Sequence, residues 1–245
     1  MRKLLPAAAG ASLALAAAAG ALAAAPPPPG QVTFVAGDAT RSAGGKTEKL
    51  AVGSAVFEND TLETRGRTRL EITLRDQSVV RVGPRSKVII SAAVFGRVVE
   101  DRKVAARLVV GDVWAKVARA VGGDATFEVQ TANAVAGVRG TTFRVDARAD
   151  KSLVVKVYGG TVAVAGSGPI PRPAHEGAEP GGKKPRKQVA GPQEVTREQW
   201  ERIVGEMMQV RVSADGRPAE PEPFKLAAAG ADAFEAWNRE RDAAP

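Results

Sequence analysis

Residues 133–147, NAVAGVRGTTFRVDA, decide how this chain is read. An apolar run, Ala134 to Val138, meets Arg139 and Gly140 and passes at once into strand-like alternation. Gly137 and Gly140 supply backbone freedom where a strand must bulge or where a side chain would clash. Phe143 and Val145 then resume a buried face, and Arg139 is extruded at the bend or pairs with a neighbouring carboxylate. The residues describe a structural corner more readily than a ligand clamp.

Alternation of the same kind surrounds the corner. Leu70, Ile72 and Leu74 interleave with Arg69, Glu71 and Thr73, which gives one buried and one wet face. The pattern recurs at Val80/Val82, Val88/Ile90, Val113/Ala115/Val117, Phe127/Val129, Leu153/Val155/Val157 and Val162/Val164. Turn signals separate these runs at Arg75-Asp76-Gln77-Ser78, Gly83-Pro84-Arg85-Ser86, Gly122-Gly123-Asp124, Gly111-Asp112 and Gly159-Gly160. The last two, containing Gly111 and Gly160, each separate two strands and read as hairpin turns. Residues 31–165 are therefore expected to form an all-β domain. Short antiparallel strands would build a twisted two-sheet sandwich or a short solenoid-like stack, with a small helical appendage at the C-terminus.

The start of the chain bounds where it works. Arg2 and Lys3 precede an uncharged run rich in alanine and leucine, and Ala21-Leu22-Ala23 offers a small-residue exit. Residues 1–23 read as a cleaved signal peptide, and 24–30 as a Pro-rich spacer. The rival is an uncleaved anchor, since about 20 apolar residues can span a bilayer. The expectation is a periplasmic or secreted protein that meets the membrane only through its signal peptide. The formal charge of +8 falls to +6 on loss of Arg2 and Lys3. Outside the cytoplasm such a balance suits anionic envelope polymers and surfaces better than nucleic acid.

Catalysis finds little support. There is no cysteine, hence no thiol nucleophile, disulfide or lipid-bearing cysteine. The single histidine, His175, lies in a Pro/Gly-rich loop where nothing orients it, so neither a histidine-based triad nor a histidine metal site is credible. The chain is expected to be no enzyme, with no catalytic residues, metal or cofactor.

Residues 166–192 are rich in Gly and Pro and carry Lys183, Lys184, Arg186 and Lys187, as a solvated linker does. Residues 193–245 are expected to hold two short helices. In the first, Thr196 caps and Trp200, Ile203, Val204 and Met207 share a face; Val210-Arg211-Val212 reads as a further strand. In the second, Asp232 caps, Glu235 follows three on, and Phe234 and Trp237 share a face. Aromatics make up only 4% of the chain, so Trp200, Phe234 and Trp237 are either rings that dock these helices on the β domain or a partner-binding face. Trp114 and Tyr158, on strands beside glycine turns, could line a shallow sugar-stacking surface.

The motif VAGVRGTTFRV, with FEVQTANA before it and VKVYGGTVAV after it, resembles the core signature of FecR-type domains. Upstream, GSAVFENDTLETRGRTRLEITLRDQSVVRVGPRSKVII and LVVGDVWAKV are similar to further segments of that family, which commonly has Asp-Gly-Ser where this chain has Asp76-Gln77-Ser78. The ending FEAWNRERD resembles tails of stand-alone exported members. The resemblance implies an extracytoplasmic all-β sensing or protein-binding module. In well understood members it follows a cytoplasmic anti-sigma segment and passes a signal from an outer-membrane siderophore receptor. Here Met1 opens directly into the signal-like run, so the expectation is a module without that segment. Its partner would be an envelope protein, an outer-membrane receptor or membrane regulator. The alternative is a glycan- or peptidoglycan-associated structural protein.

Overall fold

In a computed structural model of the chain the described residues are 27–95, 102–119, 126–138, 140–166, 201–228 and 230–244. The expected signal peptide and the basic cluster of the expected linker lie outside them. So do His175, Gly122 to Asp124, Thr196, Trp200 and Arg139.

The chain changes direction often, and each change has a local cause. It enters as β1 (Gly30–Ala36) and turns into β2 (Ala39–Ala43), which forms a hairpin with β3 (Lys46–Lys49). Two short strands follow, β4 (Ala55–Val56) and β5 (Thr61–Thr64). Next come β6 (Arg69–Leu74) and β7 (Val79–Val82), joined by the Asp76-Gln77-Ser78 turn. Then come β8 (Lys87–Val94), the long β9 (Lys103–Lys116), β10 (Thr126–Gln130) and β11 (Ala134–Val138). The last strands are β12 (Thr142–Ala147), β13 (Leu153–Gly159), β14 (Val162–Gly166), β15 (Glu201–Val204), β16 (Met208–Val212) and β17 (Glu222–Pro223). One helix, α1 (Ala233–Ala243), closes the described chain.

Among the described residues these 17 strands are linked by hydrogen bonds into one sheet, whose pairings form two ladders. The first runs β4–β1–β6–β7–β9–β12–β13–β16–β17. The second runs β3–β2–β5–β8–β9–β10–β11–β14–β15. Only β9 belongs to both: residues 103–110 pair in the second ladder and 111–116 in the first. Every pairing is antiparallel except β9 with β10, which is parallel because the chain leaves the end of β9 and returns beside its beginning. The backbone N–H of Thr126 donates to Arg102 O at 2.9 Å at that point.

The hairpin expectation at Gly111 and Gly160 is overturned. Neither glycine joins two strands that pair with each other. Gly111 (φ +98°) lies inside β9 where that strand passes from one ladder to the other. Gly160 (φ +87°) carries the chain from β13 in the first ladder to β14 in the second. Gly140 (φ +61°) does the same between β11 and β12. The latter two corners touch: a Cβ on Gly160 would lie 3.1 Å from Gly140 O, and the Thr141 hydroxyl donates to Thr161 O at 2.9 Å. Gly137, by contrast, sits within β11 with open space where its Cβ would be.

The core collects the alternating residues of both ladders. Leu70, Ile72, Val80, Val82, Val113, Ala115, Phe143, Val145, Val155 and Val157 come from the first, and Leu62, Val88, Leu108, Phe127, Val129, Val162 and Val164 from the second. Phe127 and Phe143 meet edge to face across it, with centroids 6.4 Å apart. Valine dominates because a β-branched side chain packs well on a pleated surface at little rotamer cost. Each such burial stabilises by about 1.5–3 kcal/mol before chain entropy is counted.

The expected first helix of the C-terminal segment is a strand in its described part. Residues 201–204 pair with β14 as β15, leaving Val204 buried and Ile203 exposed, an alternation of period two. An unpaired edge on β14 offers backbone partners to a β-branched Ile-Val pair, which is a stronger pull than helix propensity. Val210 and Val212 do lie in a strand, β16.

The β6–β7 turn carries a testable strain. Gln77 is held at φ +65°, a region glycine occupies freely and glutamine does not. The turn is kept because the Asp76 carboxylate accepts from the Ser78 N–H at 3.1 Å and the Ser78 hydroxyl at 2.7 Å. Gln77→Gly should therefore stabilise the protein by about 0.5–1 kcal/mol. A thermal melt checks it, and an unchanged or lower midpoint would refute the strain.

Candidate functional site: the row beneath the C-terminal helix

Register places six side chains in a line across the outer face of the first ladder. Glu71 stands opposite Arg81, Arg81 opposite Trp114, Trp114 opposite Arg144, Arg144 opposite Lys156, and Lys156 opposite Gln209. On sequence alternation alone this face should be wet. It is buried instead, because α1 lies across it: Glu71, Arg81, Trp114 and Arg144 are all almost fully covered.

The helix is built to lie there. Asp232 caps it, accepting from the N–H groups of Phe234 (3.1 Å) and Glu235 (2.9 Å), and Arg241 in its last turn complements the helix dipole. Phe234 and Trp237, three apart, face the sheet. The Phe234 ring seats beside Gly83, where a Cβ would come within 3.2 Å of it. Trp237 packs on Phe34 at 5.4 Å, and the Arg81 and Arg144 guanidinium groups lie 5.7 and 5.4 Å from the Trp237 and Phe234 ring centres.

Polar contacts between helix and row are numerous. Arg81 donates to Glu71 at 2.6 Å and to Asp242 at 2.7 Å. Arg241 reaches back to both Glu71 oxygens at 2.8 Å. Arg144 bonds Asp112 at 2.7 Å and also Asp232. The Trp114 indole N–H donates to Asp242 at 3.0 Å. Glu235, fully buried, accepts from the Tyr158 hydroxyl and the Ala227 N–H, both at 2.9 Å, and Lys156 stands 3.6 Å away. Paired, hydrogen-bonded charges tolerate such burial, whereas a stranded partner does not.

These contacts shift titrations. Burial pushes Glu71 up, but hydrogen bonds from Arg241, Arg81 and Thr33 outweigh it and hold the carboxyl at about 2, against an ordinary 4.5. Asp232 is held low by the Glu235 N–H and by Arg144, again against a burial effect of opposite sign. Asp112 goes the other way, raised chiefly by burial although Arg144 opposes it. Burial and then Glu235 push the Tyr158 hydroxyl well above its usual range. For Glu71 the folded value lies below the unfolded one, so its contribution is complete above about pH 4.5 and is lost as pH falls towards about 2. Asp232 acts in the same sense and Asp112 in the opposite one. Tryptophan emission from the Trp114–Trp237 seam should therefore change between about pH 4.5 and about 2. Glu71→Gln should remove most of that change; an unaltered acid transition in the variant would refute the assignment.

The residues singled out from sequence fall into two groups. Gly111, Gly140 and Gly160 stand at corners, Gly137 lies within β11, and Phe143 is in the core. Phe234 and Trp237 are buried against the sheet, so they form the docked seam and present no open face in this fold. Trp114 is 1% exposed, and its ring packs at a tilt against Tyr158, centroids 4.2 Å apart, beneath the helix, which leaves no platform for a sugar. Sequence reasoning passed over Glu71, Arg81, Arg144 and Lys156. Their common signal was a charged residue at an outward position of each successive strand. Among the described residues no cluster of histidine, cysteine, aspartate and glutamate is placed to hold a metal.

Residues 60–163 match the family described as FecR protein. The chain carries a FecR-type domain. The matched part of this FecR-type domain runs from just before β5 into β14 and includes Glu71, Arg81, Trp114, Arg144 and Lys156, while α1 lies outside it. Two crystal structures of a candidate anti-sigma factor from Parabacteroides distasonis are similar to the chain at 19% and 18% identity, each with a TM-score of 0.47. The alignments cover 73% of this chain, which thus spans 64% and 63% of the two solved chains. No curated protein matches.

Proposed function

We propose that this chain is an exported, non-enzymatic sensing module that acts by contact with a protein of the cell envelope, in the periplasm or after secretion. The observation that carries this reading is the FecR-type domain over residues 60–163. Export is supported by Arg2 and Lys3 followed by an uncharged run that ends in Ala21-Leu22-Ala23. In the same reading the two ladders are the layers of a sandwich over the shared core. Trp114, buried under α1, favours protein contact over glycan stacking.

Three measurements test the reading. The mature N-terminus from the periplasmic or culture fraction should begin near Ala24; an intact Met1 in the cytoplasm would refute export. Crosslinking of the tagged protein in its own envelope should recover one discrete membrane receptor or regulator. Salt-resistant retention on purified sacculi, released only by muramidase, would replace protein contact with the glycan reading.

A further inference from the structure

The row beneath α1 has the chemistry of a recognition surface. Three side chains of the helix segment, Asp232, Glu235 and Asp242, meet cations of the sheet, and two rings, Phe234 and Trp237, fill the space between. The sheet side supplies Arg81, Arg144 and Lys156 around Trp114. A segment that fits must be helical, with acids and aromatics alternating along one face.

The seam is also arranged so that it can open. Arg81 already has Glu71 as a partner from its own ladder, and Arg144 has Asp112. The acids of α1 are second partners to each. Withdrawal of the helix therefore leaves neither guanidinium without a counter-charge, and the steep cost of a stranded buried ion does not arise. Glu235, the most completely buried carboxylate among the described residues, belongs to the helix and leaves with it. What holds α1 is the packing of Phe234 and Trp237 together with buried ion pairs whose sheet-side guanidinium groups, Arg81 and Arg144, each keep a partner when the helix leaves. The preceding stretch, residues 213–231, holds only the two-residue β17 and the isolated bridge of Pro218 to Val212 among its described residues.

We propose that the row Arg81–Trp114–Arg144–Lys156 is a docking surface for an acidic, aromatic amphipathic helix of a partner protein, and that α1 is its resident occupant, displaced when that partner binds. This deepens the envelope-contact reading above and rests on it for the existence of a separate partner. The surface lies in the FecR-type residues and its occupant outside them, so the recognising part and the covering part are separate segments of the chain. Binding of such a helix reads as anchors on one face, here the positions of Asp232, Phe234, Glu235, Trp237 and Asp242.

The test uses the full chain and a labelled peptide of residues 225–244, followed by fluorescence anisotropy. The wild-type chain, its surface occupied, should bind the peptide weakly. A chain whose own helix is loosened by Trp237→Ala and Asp242→Asn should bind it at least tenfold more tightly. Adding Arg144→Glu should abolish that gain, as should a peptide with Asp232, Glu235 and Asp242 replaced by their amides. A loosened, folded chain that binds no more tightly than wild type overturns the proposal. If the loosened variant does not fold, a protease site inserted after Leu226 frees α1 in an otherwise unaltered chain. Excess peptide should then release the cut helix, and its retention would overturn the proposal. Dimers that exchange α1, seen by size exclusion in place of peptide binding, would assign the surface to a second copy and also overturn it. These assays use purified components: peptide binding without envelope capture sinks the envelope reading alone.

Discussion

Gly111→Ala should cost about 3 kcal/mol or more and lower the melting midpoint by roughly 6–12 °C. Two causes add. The residue sits at φ +98°, which an alanine adopts only with strain, and its Cβ would lie 2.6 Å from Ser86 Cα and Cβ. Ser86 cannot retreat, because its hydroxyl accepts from the Asp112 N–H at 2.9 Å and its own N–H donates to the buried Thr64 hydroxyl at 3.0 Å. The control is Gly45→Ala, at φ +79° with open space around it, which should cost only about 1 kcal/mol. Thermal denaturation followed by circular dichroism compares the two. Equal losses would show that backbone strain alone matters and that the close approach at Ser86 does not.

Arg102→Met should be at least as damaging, at about 3–5 kcal/mol. The Arg102 guanidinium and the Asp76 carboxylate form an ion pair with side chains only 1% and 2% exposed. The same guanidinium donates to Ala118 O at 3.2 Å from each terminal nitrogen. It thus ties the residue before β9 to the second residue after it, and both to the β6–β7 turn. Loss of Arg102 leaves Asp76 buried without its counter-charge, still bound only by Ser78. Adding Asp76→Asn removes the stranded charge and should recover about 1 kcal/mol or more, a coupling that a double-mutant cycle reads directly. Strict additivity of the two losses would mean that the pair is not a unit.

Much of the β framework was legible because burial in a sheet has a period of two. Leu70, Ile72, Leu74, Val80, Val82, Val113, Phe127, Phe143, Val145, Val155 and Val162 all read as inward residues from alternation, and all are buried. The helix capped by Asp232 was legible too, since a cap and two aromatics three apart are local signals. Pairing partners were not, because a glycine between two strands looks the same whether the chain doubles back or crosses to the other ladder. That ambiguity misplaced Gly111 and Gly160. The charged row was hidden for a related reason: Glu71, Arg81, Arg144 and Lys156 occupy the outward positions where charge normally means solvent. Only the packing of α1, distant in sequence, turns that face into a seam. Residues 201–204 show tertiary context overriding a local helix pattern.

The sharing of β9 between both ladders has a consequence for how the protein opens. Its first half hydrogen-bonds β8 and β10, and its second half β7 and β12. A fluctuation that frees this strand releases pairings on four neighbours at once, so the smallest cooperative unit containing β9 is nearly the whole β framework. Backbone amides of Val104 to Val113 should then exchange with deuterium only through global unfolding, while those of β3 and β17, each paired along one edge alone, exchange through local fraying.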